Sequence, residues 1–429
     1  TGRSFQVFYV SIYNSADTFH ASGVCSAGSC AAAGRLPEDR WSDDCRKAAG
    51  KRIGSWQCCC VIGTRGTVFV LEGKRMTEIY ATLGPACEQA DVLERMFAEG
   101  MTGMRLNLSH SGLKESEALI QRFWQAAQHA GVRAELLIDL QGPEVRIGEL
   151  YAPLLLQEAG KVMFVCQKQS GDGKMISVRQ GQEEIGSYDG RIPVAEQILN
   201  ALETGDHILL DDGKMELAVT SVNPEITAQV LRGGMLQSRK SLKIVGKPLA
   251  GPVLTDQDLH QIRLAKDYGV TAVMQPFVTD AAQLKEVRQQ LFNRHGEHIR
   301  IFAKIENRQG MNKIQDLLPE ADMIVIARGD LGNDIPLWEL PSAQHRLSEI
   351  CRNEGKPFLV VTQMLASMVH HPYPTRAEVS DIFHAVLDGA AAVMVTNETA
   401  VGQYPIETVR YLHHTVQEAE QFLPRYSGI

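Results

Sequence analysis

Residues 301–332 read IFAKIENRQGMNKIQDLLPEADMIVIARGDLG. Two short apolar runs, at 301–303 and 323–327, stop abruptly at charge: Lys304 and Glu306 follow the first, Arg328 and Asp330 the second. Consecutive strands of a parallel α/β barrel end in this way, because their interiors are covered on both faces while chemistry collects just past their C-terminal ends. Lys304, Glu306 and Asp330 are therefore expected to meet at one mouth. Two carboxylates beside a lysine suit a hard divalent cation, magnesium above all, with a fixed positive charge next to it. Phosphoryl transfer uses both, since negative charge spreads over the migrating oxygens. Taken alone, a KxE or an RGD is a short motif that solvated strand ends also produce.

Outward from this stretch the same alternation recurs. Strands one to three are read at 79–83, 104–108 and 134–140, with helical spacing over 91–98 and 113–130. The pattern breaks over 147–246, where short β-like runs at 162–166, 207–210, 216–222 and 226–231 are separated by Gly, Asp and Asn turns. It resumes with a helix after Thr255 and a fourth strand at 271–275. Strands five to eight start near 301, 323, 358 and 392, and a last helix runs over 406–422. Eight strands close one barrel. The expected fold is thus α/β, a (β/α)8 TIM barrel built from 76–146 and 247–429, with an all-β domain, 147–246, inserted after strand three and placed to act as a lid. Polar residues gather at the strand ends: Arg105, Asn107, Ser109 and His110 after strand two, Asp139, Glu144 and Arg146 after strand three, Thr362 after strand seven and Glu398 after strand eight. For Arg146 and Glu398, a rim salt bridge and a substrate contact are equal readings. Thr375 and Glu378 read as the N-cap and capping-box partner of a helix start.

Composition narrows the class. At 429 residues the chain has room for more than one domain, and 44% apolar with 22% charged residues is ordinary for a globular enzyme. No run approaches the roughly 18 uninterrupted apolar residues of a membrane helix, and the first residues lack a signal-peptide pattern, so a cytoplasmic protein is expected. The net charge of −8 divides unevenly: residues 1–75 carry ten Lys/Arg against six Asp/Glu, or +4, leaving −12 for the rest. An acidic body argues against nucleic-acid binding. Residues 1–75 also hold six of the nine cysteines without paired metal-ligand spacing or sustained periodicity, and are expected to add no core.

DLQGPEVRIG at 139–148, KIEN at 304–307, ARGDLG at 327–332, VTQMLASMVHHPYPTRAEVSD at 361–381 and VMVTNETAVGQYP at 393–405 stand in one order and spacing. Together they resemble the pyruvate kinases, from about Thr77 to the C-terminus. The resemblance implies transfer of the phosphoryl group of phosphoenolpyruvate to ADP. It implies Glu306 and Asp330 as magnesium ligands, Lys304 as the charge that stabilises the migrating phosphoryl group and the enolate, Arg105 as the phosphate-binding arginine, backbone N–H groups around Gly329 and Asp330 for the substrate carboxylate, and Thr362 near the carbon that gains a proton. Asn107, Ser109 and Asp139 resemble potassium ligands. Arg105, His110, Arg146 and Lys240 resemble residues around the nucleotide. A homodimer along barrel helices six to eight is the assembly it implies.

The chain departs from the family pattern at Leu140-Gln141, Pro276, Thr279 and Thr396-Asn397. Family members also continue into a further α/β domain with an effector site, so the expectation is a short form without it, starting natively at Met76. Two other readings fit parts of the sequence: a barrel enzyme handling a pyruvate enolate without a nucleotide, such as an aldolase or decarboxylase, and a regulatory protein that keeps the fold without efficient turnover.

Overall fold

The computed structural model describes residues 76–109, 111–142, 145–167, 190–247 and 253–426, together with strand segments before residue 76. Residues Thr1–Glu78 form a unit of their own. Its strands Ala21–Cys25, Val7–Val10, Val68–Leu71 and Cys59–Ile62 lie in that order in a four-stranded antiparallel sheet. The expectation that residues 1–75 add no core rests largely on residues outside those described.

The remainder of the chain is built on a closed barrel of eight strands: β1 (Glu78–Thr82), β2 (Gly103–Asn107), β3 (Glu135–Asp139), β4 (Ala272–Gln275), β5 (Arg300–Ile305), β6 (Met323–Ala327), β7 (Phe358–Val361) and β8 (Ala392–Met394). Neighbouring strands pair in parallel, and the Val395 N–H donates to the Tyr80 carbonyl at 3.0 Å where β8 meets β1. β6, β7 and β8 read as unbroken apolar runs because both faces are covered. Alternate residues fill the barrel interior, among them Tyr80, Leu137, Met274, Phe302, Val325 and Leu359. Those between them, such as Ile138, Val273, Ile301, Ile324 and Val360, pack in the larger cluster that includes the surrounding helices. At the N-terminal end of the barrel the Tyr80 hydroxyl donates to Glu135, which also pairs with Arg300. Charge at that end is consumed by structure.

Helices follow the strands as the sequence indicates. The helix Arg376–Leu387 starts at Thr375, whose hydroxyl accepts from the Glu378 N–H while the Glu378 side chain accepts from the Thr375 N–H. Among the described residues no helix is long and apolar enough to cross a membrane.

Between β3 and β4 the chain forms a second body. Strands Gly190–Val194, Lys161–Cys166, Ile226–Arg232, Met215–Ser221, His207–Leu210 and Leu242–Ile244 lie in that order in a six-stranded sheet. Its core is separate, with Val162, Phe164, Ile208, Leu217, Val230 and Ile244 at the centre. A short helix, Glu196–Ala201, interrupts what the sequence presents as purely β.

One carboxylate joins the two ends of this insertion. Asp258, in the first turn of the helix Asp256–Leu264, is almost wholly buried and accepts from the N–H groups of Gln141 (2.9 Å) and Gly142 (3.1 Å) at the entry, and from Thr255 N (2.9 Å) and Oγ1 (2.7 Å) at the exit. Gly142 has a φ of +63° and lies so close to Pro276 that a Cβ would come within 2.5 Å of its ring. Asp258→Ala loses the return half of the capping box and two backbone anchors together, which costs about 2–4 kcal/mol. The check is the urea midpoint of the barrel, which falls in Asp258→Ala.

Candidate active site

Strand alternation aims a set of charges into the barrel mouth. Arg105 on β2 is registered with the interior residue Leu137, and Asp139 on β3 and Lys304 on β5 lie two residues beyond the interior Leu137 and Phe302, toward the C-terminal end. Arg105 grips Asp139 with Nη2 at 2.6 Å and Nε at 2.9 Å from Oδ2. Lys304 Nζ stands 3.2 Å from each Asp139 oxygen. Burial alone would lower the Lys304 pKa, but the charges of Asp139 and Glu306 outweigh it and hold the ammonium above the ordinary lysine range. For Asp139 burial pushes upward, and Lys304 and Arg105 overcome it, so the carboxylate stays ionised.

Glu306, just past β5, is 1% exposed. Its Oε2 accepts from the Phe277 N–H at 2.7 Å. Its Oε1 lies 2.9 Å from Lys304 Nζ, close enough for an ion pair, yet without the alignment of a hydrogen bond, so this buried oxygen has no hydrogen-bond partner among the described residues. Asp330 beside it is half-buried; desolvation and the charge of Glu306 raise its pKa from 3.8 to about 7. A buried oxygen without a donor, beside a second carboxylate that resists ionisation, is a donor set short of positive charge, and a hard divalent cation fits it. Among the described residues no group of three or more His, Cys, Asp or Glu side chains supplies a fuller ligand set.

The turns after β6 and β7 are locked together. Thr362 has a φ of +75° and Gln363 a φ of +53°, a left-handed conformation that a β-branched residue rarely adopts. The Thr362 hydroxyl accepts from the Gly329 N–H at 2.7 Å, at the start of the short helix Arg328–Leu331. Arg328 supplies the clamp: its Nη2 donates to the Thr362 carbonyl at 2.8 Å and its Nη1 to Asp381 at 2.7 Å. Glu398 makes no salt bridge among the described residues. It is buried and accepts from the N–H groups of Thr396 (2.7 Å) and Leu365 (3.2 Å), tying the turn after β8 to that after β7.

A cavity of about 610 Å³ lies between the barrel and the inserted domain, with Leu242, Lys243, Phe277, Asp330 and Asp334 in its wall. Pyruvate kinases have known relatives of this chain among them. Residues 74–409 match the family model "Pyruvate kinase, barrel domain". The pyruvate kinase of Geobacillus stearothermophilus is 36% identical over 354 residues, 82% of this chain and 58% of the relative. That of Bacillus licheniformis is 35% identical over 81% of this chain and 58% of the relative, and that of Agrobacterium vitis 35% over 82% and 71%. The chain belongs to the pyruvate kinase family. It spans a little over half the length of the first two of these relatives.

Within the barrel, the residues that the family resemblance singles out form two groups: Arg105, Asp139, Lys304, Glu306 and Asp330 in one charge network, and Gly329 with Thr362 in one hydrogen bond. Asn107 Oδ1 accepts from the Ser109 N–H at 3.1 Å, which orders the turn after β2. Arg146 and Lys240 lie at the edge of the inserted domain: Arg146 bridges to Ser241 and donates to the Arg239 carbonyl at 2.9 Å, and Lys240 pairs with Asp211 at 2.7 Å. His110 and Glu144 lie outside the described residues. Of the departures from the family pattern, Leu140 is buried in the core cluster shared with the helices, Pro276 packs on Gly142, and Thr279 lines the cavity. Arg328, Lys243 and Asp334 carry roles that sequence reading did not assign. Arg328 stood within a quoted motif, whereas nothing in the sequence marks the other two.

Because the Asp330 pKa is raised in the folded state, its stabilising contribution is greatest in acid and falls away as pH rises from 3.8 to about 7. Asp330→Asn therefore melts above the wild type at pH 8 in EDTA, with the gap narrowing toward pH 5. Magnesium raises the wild-type melting temperature at pH 8 and leaves that of the variant nearly unchanged. Thermal melts at the two pH values check both statements.

Proposed function

We propose that this chain transfers the phosphoryl group of phosphoenolpyruvate to ADP, giving pyruvate and ATP. The observation that carries the reading is the buried array of Arg105, Asp139, Lys304 and Glu306 at one barrel mouth, with Asp330 held next to it. The bond from phosphorus to the enol oxygen breaks, a bond forms to a terminal oxygen of ADP, and the enolate left behind takes a proton at its methylene carbon.

Glu306 and Asp330 would hold magnesium, which, when bound, supplies charge neutralisation at the transferring oxygens. Lys304 acts electrostatically: its ammonium is fixed before substrate arrives and meets negative charge on the phosphoryl group and then on the enolate. Arg105 is gripped on one edge by Asp139 and presents the rest of its guanidinium to the phosphate. Gly329 and Asp330 N–H groups receive the substrate carboxylate, for which the Thr362 hydroxyl yields its present bond to Gly329. Thr362, whose hydroxyl now donates to the Val361 carbonyl, would turn to relay the proton. Asn107, Ser109 and Asp139 would hold potassium, Arg146 and Lys240 would engage the nucleotide from the side of the inserted domain, and His110 would be a further nucleotide contact. The reading carries with it a cytoplasmic homodimer.

The test is a coupled assay of pyruvate formation from phosphoenolpyruvate and ADP with magnesium, in potassium and in sodium buffer. Wild type is active, more so in potassium, and Lys304→Met loses activity by about 10³-fold, the scale of a lost preorganised charge. Full activity in Lys304→Met, or a wild type that binds ADP without turnover, rejects the proposal.

A further inference from the structure

The inserted domain touches the barrel at the turn that follows Asp330. Lys243 Nζ, on the strand Leu242–Ile244 of the insertion, lies 3.1 Å from Asp334 Oδ1 and donates to the Asp330 carbonyl at 3.3 Å. Asn333 Nδ2 reaches the Asp212 carbonyl at 3.4 Å, and Gly213 approaches so closely that a Cβ there would come within 2.5 Å of Asn333 Oδ1. Asp334 makes a further bond: its Oδ2 accepts from the Arg308 N–H at 2.7 Å, two residues beyond Glu306. With its side chain 9% exposed, against 27% for Lys243, this carboxylate is mostly out of water. One buried acid thus ties together the turn bearing Glu306, the turn bearing Asp330 and the inserted domain.

We propose that the Lys243–Asp334 ion pair is a latch that docks the inserted domain on the metal-site turns, with both residues positioning the nucleotide-binding edge of that domain. The register gives the reason. Lys243 lies on the segment that carries Lys240 and bridges to Arg146, and the neighbouring Asp211–Lys214 turn holds Lys240 through Asp211. Anchoring Lys243 therefore sets where Lys240 and Arg146 stand relative to Lys304 and Asp330. A mostly buried ion pair suits this task better than an apolar contact, because its geometry is specific and the loss of either partner strands the other's charge. Lys243 does not serve simply as a charge for the phosphates: its ammonium is already engaged by Asp334 and the Asp330 carbonyl.

The proposal rests on the phosphotransfer reading for the identity of the ligand, but not for the docking itself. The test uses the full chain and the variants Lys243→Met, Asp334→Asn, their combination, and Asp334→Glu as the conservative replacement. Hydrogen exchange without substrates reads docking: amides of the Asp211–Lys214 turn and of Leu242–Ile244 exchange faster in Lys243→Met and Asp334→Asn, while the barrel strands do not change. Unchanged exchange there overturns the latch whatever the chemistry. Calorimetric titration with ADP and magnesium reads positioning. Each single variant weakens ADP about 10-fold, the double variant is no weaker than either single one, and Asp334→Glu keeps most of the affinity, whereas the KM for phosphoenolpyruvate moves little. Independent, multiplying effects of the two substitutions overturn the proposal. A wild type that binds no ADP overturns the phosphotransfer reading and leaves the exchange result to decide the latch.

Discussion

Lys304 carries its charge inside the barrel mouth, 3.2 Å from both Asp139 oxygens and 2.9 Å from Glu306. An ammonium so far from water survives only because carboxylates surround it, and those carboxylates survive only because Lys304 and Arg105 are there. The network is satisfied on its Asp139 side, where Arg105 and Lys304 both bond, and short of positive charge on its Glu306–Asp330 side, where one buried oxygen has no donor and the Asp330 pKa rises. That imbalance makes the mouth a site. The fold supports it by fixing Arg105, Asp139 and Lys304 on inward strand positions and Glu306 and Asp330 just past the ends of β5 and β6, so little can relax to quench the missing charge.

The surrounding turns are arranged to keep that geometry. Arg328 holds the Thr362 carbonyl, Glu398 holds the N–H groups of Thr396 and Leu365, and Asp258 closes the two ends of the insertion. These are charged side chains spent on backbone groups, where each fixes a loop that the packed strands alone would leave free. Thr362 shows the consequence. Its left-handed backbone is unfavourable for a β-branched residue and persists under the grip of Arg328, with its hydroxyl aimed at the Gly329 N–H.

How much of this was legible in the sequence depended on distance along the chain. The barrel strands were readable because runs such as 323–327 are apolar throughout and end at charge, and the helix start at Thr375 because its capping partner lies three residues on. The inward parity of Arg105, Asp139 and Lys304 follows from strand alternation once the strands are known. The helix Glu196–Ala201 was missed: six residues between β-like runs carry too short a period to be recognised. The Lys243–Asp334 pair was invisible, since it joins two domains whose docking no local pattern encodes. The strain at Thr362 was equally hidden, because it is imposed by neighbours and not by the residue itself.

The fate of the phosphorus decides the chemistry most directly. With phosphoenolpyruvate labelled at phosphorus, ADP and magnesium, the label is expected in ATP in step with pyruvate, and omitting either ADP or the metal abolishes both. Pyruvate formed with the label released as inorganic phosphate, or with no need for ADP, would contradict phosphoryl transfer to ADP.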